Sequence, residues 1–253
     1  MPYTYPQIAG VIDHALLHPT MTDHEMVLGC ELAAKYAIAS VCVKPYFVRQ
    51  AAEILVGSSV AVGTVIGFPH GSSESEVKRV EAEIACTSGA SELDMVVNLG
   101  KVFSGDWDYV RSDIAIVVAE GKRHGALTKV ILETDYLDDP KLISELCRVS
   151  ELANADYVKT STGFGFVKNS AGTYSYEGAT EDNLRLMRSV CSAAVGVKAS
   201  GGVRDLKAVE RCLDLGCARV GTTSTALILD EFLRRAEGEG NPLPTDNRVA
   251  ADY

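Results

Sequence analysis

VAVGTVIGFPHGSSESEVKRVEAEIACTSGASELDMVVN (Val60–Asn98) is the stretch on which the fold turns. VAVGTVIGF (60–68) is a short apolar run rich in β-branched residues, which suits a buried strand. SESEVKRVEAEIACTSG (73–89) spaces its apolar residues at a helical period and finishes at glycine, a common helix stop. ELDMVVN (92–98) is a second strand-like run. A strand, a helix and a strand in succession predict a βαβ unit, whose crossover helix sets the two strands parallel.

The same alternation extends in both directions. Strand-like runs recur at GVIDHALL (10–17), SVCVK (40–44), TKVILET (128–134), DYVKTST (156–162), GVKASG (196–201) and ARVGTT (218–223). Helix-period segments separate them, for example DLKAVERCLDLG (205–216). Eight strands, each followed by a helix, in 253 residues predict an α/β fold, a single (β/α)8 TIM barrel with a parallel eight-stranded core. Alternation alone leaves an open doubly wound sheet as the other solution. No linker or composition break divides the chain, so residues 1–253 read as one domain, with NPLPTDNRVAADY (241–253) as a loose tail.

The net charge of −10 argues against general binding to nucleic acid or anionic membranes. No apolar run approaches the roughly 20 residues needed to span a bilayer, and the N-terminus lacks the basic and apolar regions of a signal peptide. Seven dispersed cysteines (30, 42, 86, 147, 191, 212 and 217) without a C-x-x-C spacing read as reduced thiols, and the expected location is the cytoplasm. The five histidines include no H-x-H or H-E-x-x-H spacing, so no metal site is expected.

Strand parity then sorts the charges. In residues 92–98, Leu93, Met95 and Val97 share one face, and Glu92, Asp94 and Val96 share the other. The apolar set should meet the helices, so Asp94 should point into the barrel. Lys159 in the sixth strand and Lys198 in the seventh occupy matching positions near the strand ends. Asp13, Cys42, Lys44 and Glu133 are further inward candidates. A buried ammonium is costly unless it is paired or used as an amine. A charge-balanced structural network is one account of such a cluster; a catalytic cluster is the other, because the C-terminal strand ends carry the active site in this fold.

An ordinary lysine, with pKa about 10.4, is less than about 0.1% free amine at pH 7. A second ammonium about 4 Å away supplies up to about 4 kcal/mol against protonation at an effective dielectric of ~20, and burial adds to it. Lys198 beside Lys159 would therefore make Lys159 a nucleophile for a carbonyl carbon, with Asp94 placed to move protons.

Eight blocks, IDHALL (12–17), VCVKP (41–45), VIGFPHG (65–71), ELDMVVNLG (92–100), KVILET (129–134), DYVKTSTGF (156–164), VKASGGVR (197–204) and ARVGTTS (218–224), occur in order along nearly the whole chain. In these blocks the sequence resembles the class I 2-deoxyribose-5-phosphate aldolases. The resemblance implies that Lys159 forms a Schiff base, Lys198 lowers its pKa and Asp94 relays protons. It implies reversible cleavage of 2-deoxy-D-ribose 5-phosphate to acetaldehyde and D-glyceraldehyde 3-phosphate, with no metal or organic cofactor. Asp13, Cys42 and Glu133 are relay or pocket candidates. Gly163, Gly201, Gly202, Gly221, Thr223 and Ser224 are expected to hold the phosphate, since barrels often bind it with the loops after strands seven and eight.

Two features depart from the family pattern. The segment 164–180, with Lys168, Tyr174 and Tyr176, is longer than usual and lies on the active-site side, as a lid, a surface insertion or an oligomer contact. Ala15 and His18 stand where threonine and lysine are common. Tyr253 is a candidate phenol donor if the tail folds over the site. The expected partners are a phosphorylated small sugar and a second copy of the chain, a dimer first. The competing activities are the same lysine chemistry on another phosphorylated aldose, a sugar-phosphate isomerase or epimerase using Asp94 and Glu133, and a phosphate-sensing barrel without catalysis.

Overall fold

The computed structural model describes residues 2–168 and 170–238. Tyr253 and the 241–253 tail lie outside the described residues. In chain order the elements are α1 (Tyr5–Ala9), β1 (Ile12–Leu16), α2 (Asp23–Tyr36), β2 (Ser40–Val43), α3 (Val48–Ile54), β3 (Ala61–Ile66), α4 (Ser75–Thr87), β4 (Glu92–Val96), α5 (Leu99–Phe103) and α6 (Trp107–Arg123). They continue with β5 (Leu127–Ile131), α7 (Pro140–Leu152), β6 (Tyr157–Lys159), β7 (Val167–Lys168), β8 (Tyr174–Ser175), α8 (Glu181–Val190), β9 (Gly196–Ser200), α9 (Leu206–Asp214), β10 (Arg219–Thr222) and α10 (Thr225–Ala236).

Eight of these strands close a barrel in the order β1-β10-β9-β6-β5-β4-β3-β2, with every neighbouring pair parallel. The doubly wound alternative is thereby excluded, since an open sheet has two edges and this one has none. The remaining pair, β7 and β8, is a short antiparallel hairpin inside the long segment after β6.

Several helices begin where their sequences provide a side-chain acceptor. Thr22 and Glu25 form a capping box on α2, and Asp106, Asp139, Thr180 and Asp205 accept the first free N–H groups of α6, α7, α8 and α9. Each such cap contributes about 1 kcal/mol.

The apolar core is the shell between the barrel and its helices. Leu93, Met95 and Val97 lie in it, with Val41 and Val43 from β2, Val130 and Leu132 around β5, Val158 from β6, and Val197 and Ala199 from β9. The outward parity read from residues 92–98 is therefore the one the fold adopts. The barrel interior differs from the usual branched aliphatic filling. Asp13, Glu92, Asp94, Lys129, Lys159 and Lys198 are buried there, each no more than 3% exposed.

Candidate active site

Lys159 is the last residue of β6 and is the Cα partner of Lys198 on β9, so their side chains leave adjacent strands on the same face. Both ammonium nitrogens converge on one oxygen. Lys159 Nζ and Lys198 Nζ each donate to Asp94 Oδ2 at 2.8 Å. The other carboxylate oxygen, Oδ1, accepts from Lys129 Nζ at 2.7 Å. Lys198 also pairs with Asp13 Oδ2 at 2.5 Å.

Burial drives Lys159 below the ordinary lysine range, the Asp94 carboxylate opposes this, and the Lys198 ammonium pushes it lower again. Lys198 is held above that range: burial opposes its charge, but Asp13 and Asp94 outweigh it. Asp94 lies well below the usual carboxylate range, because three lysines overcome the cost of its burial. The arrangement divides two adjacent lysines into one that gives up its proton more readily than an ordinary lysine and one that holds it more tightly. Cys42 projects into the same interior, where burial first and then Asp94 push its thiol up to about 11, so it is neutral at pH 7.

The residues after Lys159 fix the mouth of the site. Thr160 Oγ1 donates to Ser200 O at 2.7 Å and accepts from Ser200 N at 2.9 Å, which ties β6 to β9. Ser161 Oγ donates to Asp135 Oδ2 at 2.7 Å. Thr162 donates through its N–H and its hydroxyl to the two oxygens of Glu133. Glu133 is buried as expected, but both oxygens are taken by Thr162, so it forms no ion pair with the lysine cluster. Burial pushes its carboxyl up, against the two bonds from Thr162.

Lys44 does not join the interior. Its ammonium donates to the carbonyls of His18 and Met21 at 3.2 and 2.7 Å, beside the Tyr46 ring. β2 ends at Val43, and strand alternation no longer governs the residue after it.

A cleft opens at the C-terminal strand ends. Gly163, Gly201, Gly202, Gly221 and Thr223 line it. Gly201 has φ +94°, and a Cβ there would come within 2.9 Å of Gly178 Cα, so only glycine fits between the two loops. Ser224 is not part of the lining: its N–H is held by Thr222 Oγ1 at 3.0 Å as α10 begins. Arg204 and His18 bring nitrogen-bearing side chains to the cleft, and Tyr176 enters it from the long segment.

That segment is anchored to the barrel rather than loose above it. Asp135 Oδ1 accepts from Glu177 N and Gly178 N, Tyr136 Oη donates to Phe166 O, and Phe164 packs edge-on against Phe68. A second cleft, beside the first across Phe164, is lined by His70, Glu133 and Tyr136.

Lys129, Arg219 and Arg204 carry parts of this arrangement that sequence reading did not single out. Lys129 shares the parity of Glu133 on one strand, and Arg219 shares that of Gly221 on another. Applying the parity test to whole strands, first residues included, finds both. Arg204 ends the VKASGGVR block, two residues past the glycine pair, beyond the strand, where parity gives no signal.

Residues 8–226 match the model of the DeoC/LacD family of aldolases. The chain is 43% identical over 229 residues to a deoxyribose-phosphate aldolase of Rhodopirellula baltica, covering 90% of each chain. It is 43% identical over 232 residues to that of Caldanaerobacter subterraneus, covering 91% of this chain and 96% of the relative. Among solved structures, the tetrameric deoxyribose phosphate aldolase of Aeropyrum pernix superposes with a TM-score of 0.80 at 31% identity, over 91% of this chain and 92% of that one.

Proposed function

The chain belongs to the DeoC/LacD family of aldolases, and from that premise we propose that it is a Schiff-base enzyme that reversibly cleaves 2-deoxy-D-ribose 5-phosphate. The observation that carries this reading is the unequal pair of lysines on one carboxylate oxygen, with Lys159 lowered and Lys198 raised. The names of the relatives support the substrate.

In this scheme the free amine of Lys159 attacks the C1 aldehyde of the open-chain sugar. Asp94 passes protons to and from the carbinolamine, water leaves, and a protonated imine remains. The imine draws electrons as the C3 hydroxyl gives its proton to Asp94, which later returns it at C2. The C2–C3 bond breaks, and its electron pair forms the C1=C2 enamine. The leaving fragment is D-glyceraldehyde 3-phosphate. Protonation at C2 and hydrolysis of the imine release acetaldehyde and return Lys159 as the amine. Lys129 and Lys198 keep Asp94 ionised between proton transfers. The glycine loops at 163, 201 and 202, with Arg204, would hold the phosphate.

An isomerase that uses Asp94 and Glu133 as an acid–base pair is disfavoured, because Thr162 occupies both oxygens of Glu133. The tetramer described for the Aeropyrum pernix relative supports the expected homo-oligomer without favouring the dimer.

Incubation with acetaldehyde followed by borohydride reduction tests the proposal. A two-carbon increment mapped to Lys159 by mass spectrometry is expected. An unmodified Lys159 under conditions of turnover would overturn it.

A further inference from the structure

Arg219 and Glu92 sit at the end of the barrel opposite the cleft, each the first residue of its strand. Arg219 is the Cα partner of Lys198. Its guanidinium donates to Asp13 Oδ1, to Glu92 Oε1 at 2.6 Å and to Ser40 Oγ at 3.5 Å, and it lies 5.8 Å from the Tyr157 ring centre. Glu92 Oε2 accepts from Lys129 at 2.7 Å. Two chains of contacts therefore lead from Arg219 to the reacting end: through Asp13 to Lys198, and through Glu92 and Lys129 to Asp94 and Lys159.

The charges in this interior balance in an informative way. Three cations (Lys129, Lys198, Arg219) meet three anions (Asp13, Glu92, Asp94). Lys159 is the remaining member, so the cluster is neutral when Lys159 is a free amine and carries +1 when it is protonated. The other titratable groups near Lys159 form no ion pair with these seven and stay the same in every variant compared below, although the Glu133 carboxyl also interacts with Lys159. The Cys42 thiol is neutral at pH 7. Glu133 is held by Thr162, and Asp135 by Ser161, Glu177 N and Gly178 N. In a buried site an uncompensated charge is the costly state.

We propose that Arg219 and Glu92 are positioning residues that set the protonation of Lys159 from the far end of the barrel, Arg219 by completing the cation count and Glu92 by completing the anion count. Removing Arg219 leaves a net anion that a proton on Lys159 neutralises. Removing Glu92 leaves a net cation that favours the free amine. The inference rests on the Schiff-base reading of Lys159. Because the bottom of such a barrel commonly serves stability alone, the sign of the effect is what separates the two roles.

The experiment follows the pH dependence of borohydride-trapped acetaldehyde on Lys159 in the full chain, for the wild type, Arg219→Gln, Glu92→Gln, the double variant and Arg219→Lys. The expected result is an acidic limb moved up by about one pH unit in Arg219→Gln and down by about one in Glu92→Gln, the shift given by a unit charge at roughly 10 Å and an effective dielectric of ~20. The double variant and Arg219→Lys should return close to the wild-type limb. A purely structural role predicts otherwise: loosening either end admits water, which moves the limb up in both single variants. Upward shifts in both, or none, overturn the inference. If Arg219→Gln does not fold, the direction in Glu92→Gln decides alone. Absence of any adduct on wild-type Lys159 is a different result, and refutes the Schiff-base reading itself.

Discussion

Replacing Lys198 by leucine removes the cation that shares Asp94 Oδ2 with the proposed nucleophile and keeps much of the side-chain volume. Lys159 Nζ and Lys198 Nζ are each 2.8 Å from Asp94 Oδ2, so they are at most twice that far apart. At an effective dielectric of ~20 two unit charges at that separation repel by about 3 kcal/mol, or roughly two pKa units. Loss of Lys198 also leaves Asp94 and Asp13 with fewer cations, which favours a proton on Lys159 in the same direction. The free amine at neutral pH should fall by about 100-fold, and the rate of acetaldehyde release from 2-deoxyribose 5-phosphate should fall with it. The loss should shrink as pH rises, because a more basic medium takes off the extra proton. Initial rates from pH 6 to pH 10, with circular dichroism to check folding, measure this. The fold should persist, since Asp13 keeps Arg219 and Lys129, and Asp94 keeps Lys129 and Lys159. Turnover like the wild type at pH 7, or an equal loss at pH 7 and pH 10, would refute the assignment of Lys198.

Asp94→Asn should lower kcat by roughly 10²–10⁴-fold, the usual range for a lost proton-transfer group; steady-state kinetics check it, and an unchanged kcat contradicts the relay. Arg204→Ala should raise KM for the phosphorylated sugar at least about tenfold with a smaller change in kcat, and should leave KM for unphosphorylated 2-deoxyribose unchanged; both substrates assayed side by side decide it. Stability should also depend on His14, whose ring is buried against Thr225 Oγ1 at 2.9 Å and pushed down to about 4 by that burial. Between about pH 6.5 and pH 4 the unfolded chain binds a proton at this position and the folded one does not, so stability falls as pH falls, by about 3 kcal/mol across the window. Urea unfolding at several pH values should show this slope in the wild type and a flatter one in His14→Gln. The lowered carboxyls of Asp13 and Asp94 act in a separate window, stabilising above pH ~4 and losing that contribution as pH falls further.

Strand parity was enough to turn Asp94 inward and Met95 outward, because a strand packed against helices must present its apolar face to them. It placed Lys159 and Lys198 on equivalent positions for the same reason. The rule failed where strands end. Lys44 follows the last residue of β2 and turns to the carbonyls of His18 and Met21. Glu133 lies beyond β5 with φ +56°, and its carboxylate swings to Thr162. Ser224 lost its expected place in the cleft to a local turn closed by Thr222. In each case a hydrogen bond beyond the strand end set where the group goes, local at Ser224 but reaching across 23 to 29 positions at Lys44 and Glu133, and such bonds carry no periodic signal.

The order of strands and helices and the inward direction of Asp94, Lys159 and Lys198 follow from the sequence by itself, since hydrophobic periodicity is a property of the chain; that the sheet closes, that Lys129 joins the interior and that Lys44 does not were decided by the tertiary structure. Which acid serves which lysine was decided only by the closed barrel. Ion pairing depends on distances between side chains from strands far apart in sequence. Asp94 reaches Lys159 and Lys198 across 65 and 104 positions, and Arg219 reaches Asp13 across 206. Until all eight strands are in register, none of these charges has a partner, and no proton has a reason to prefer one lysine over the other.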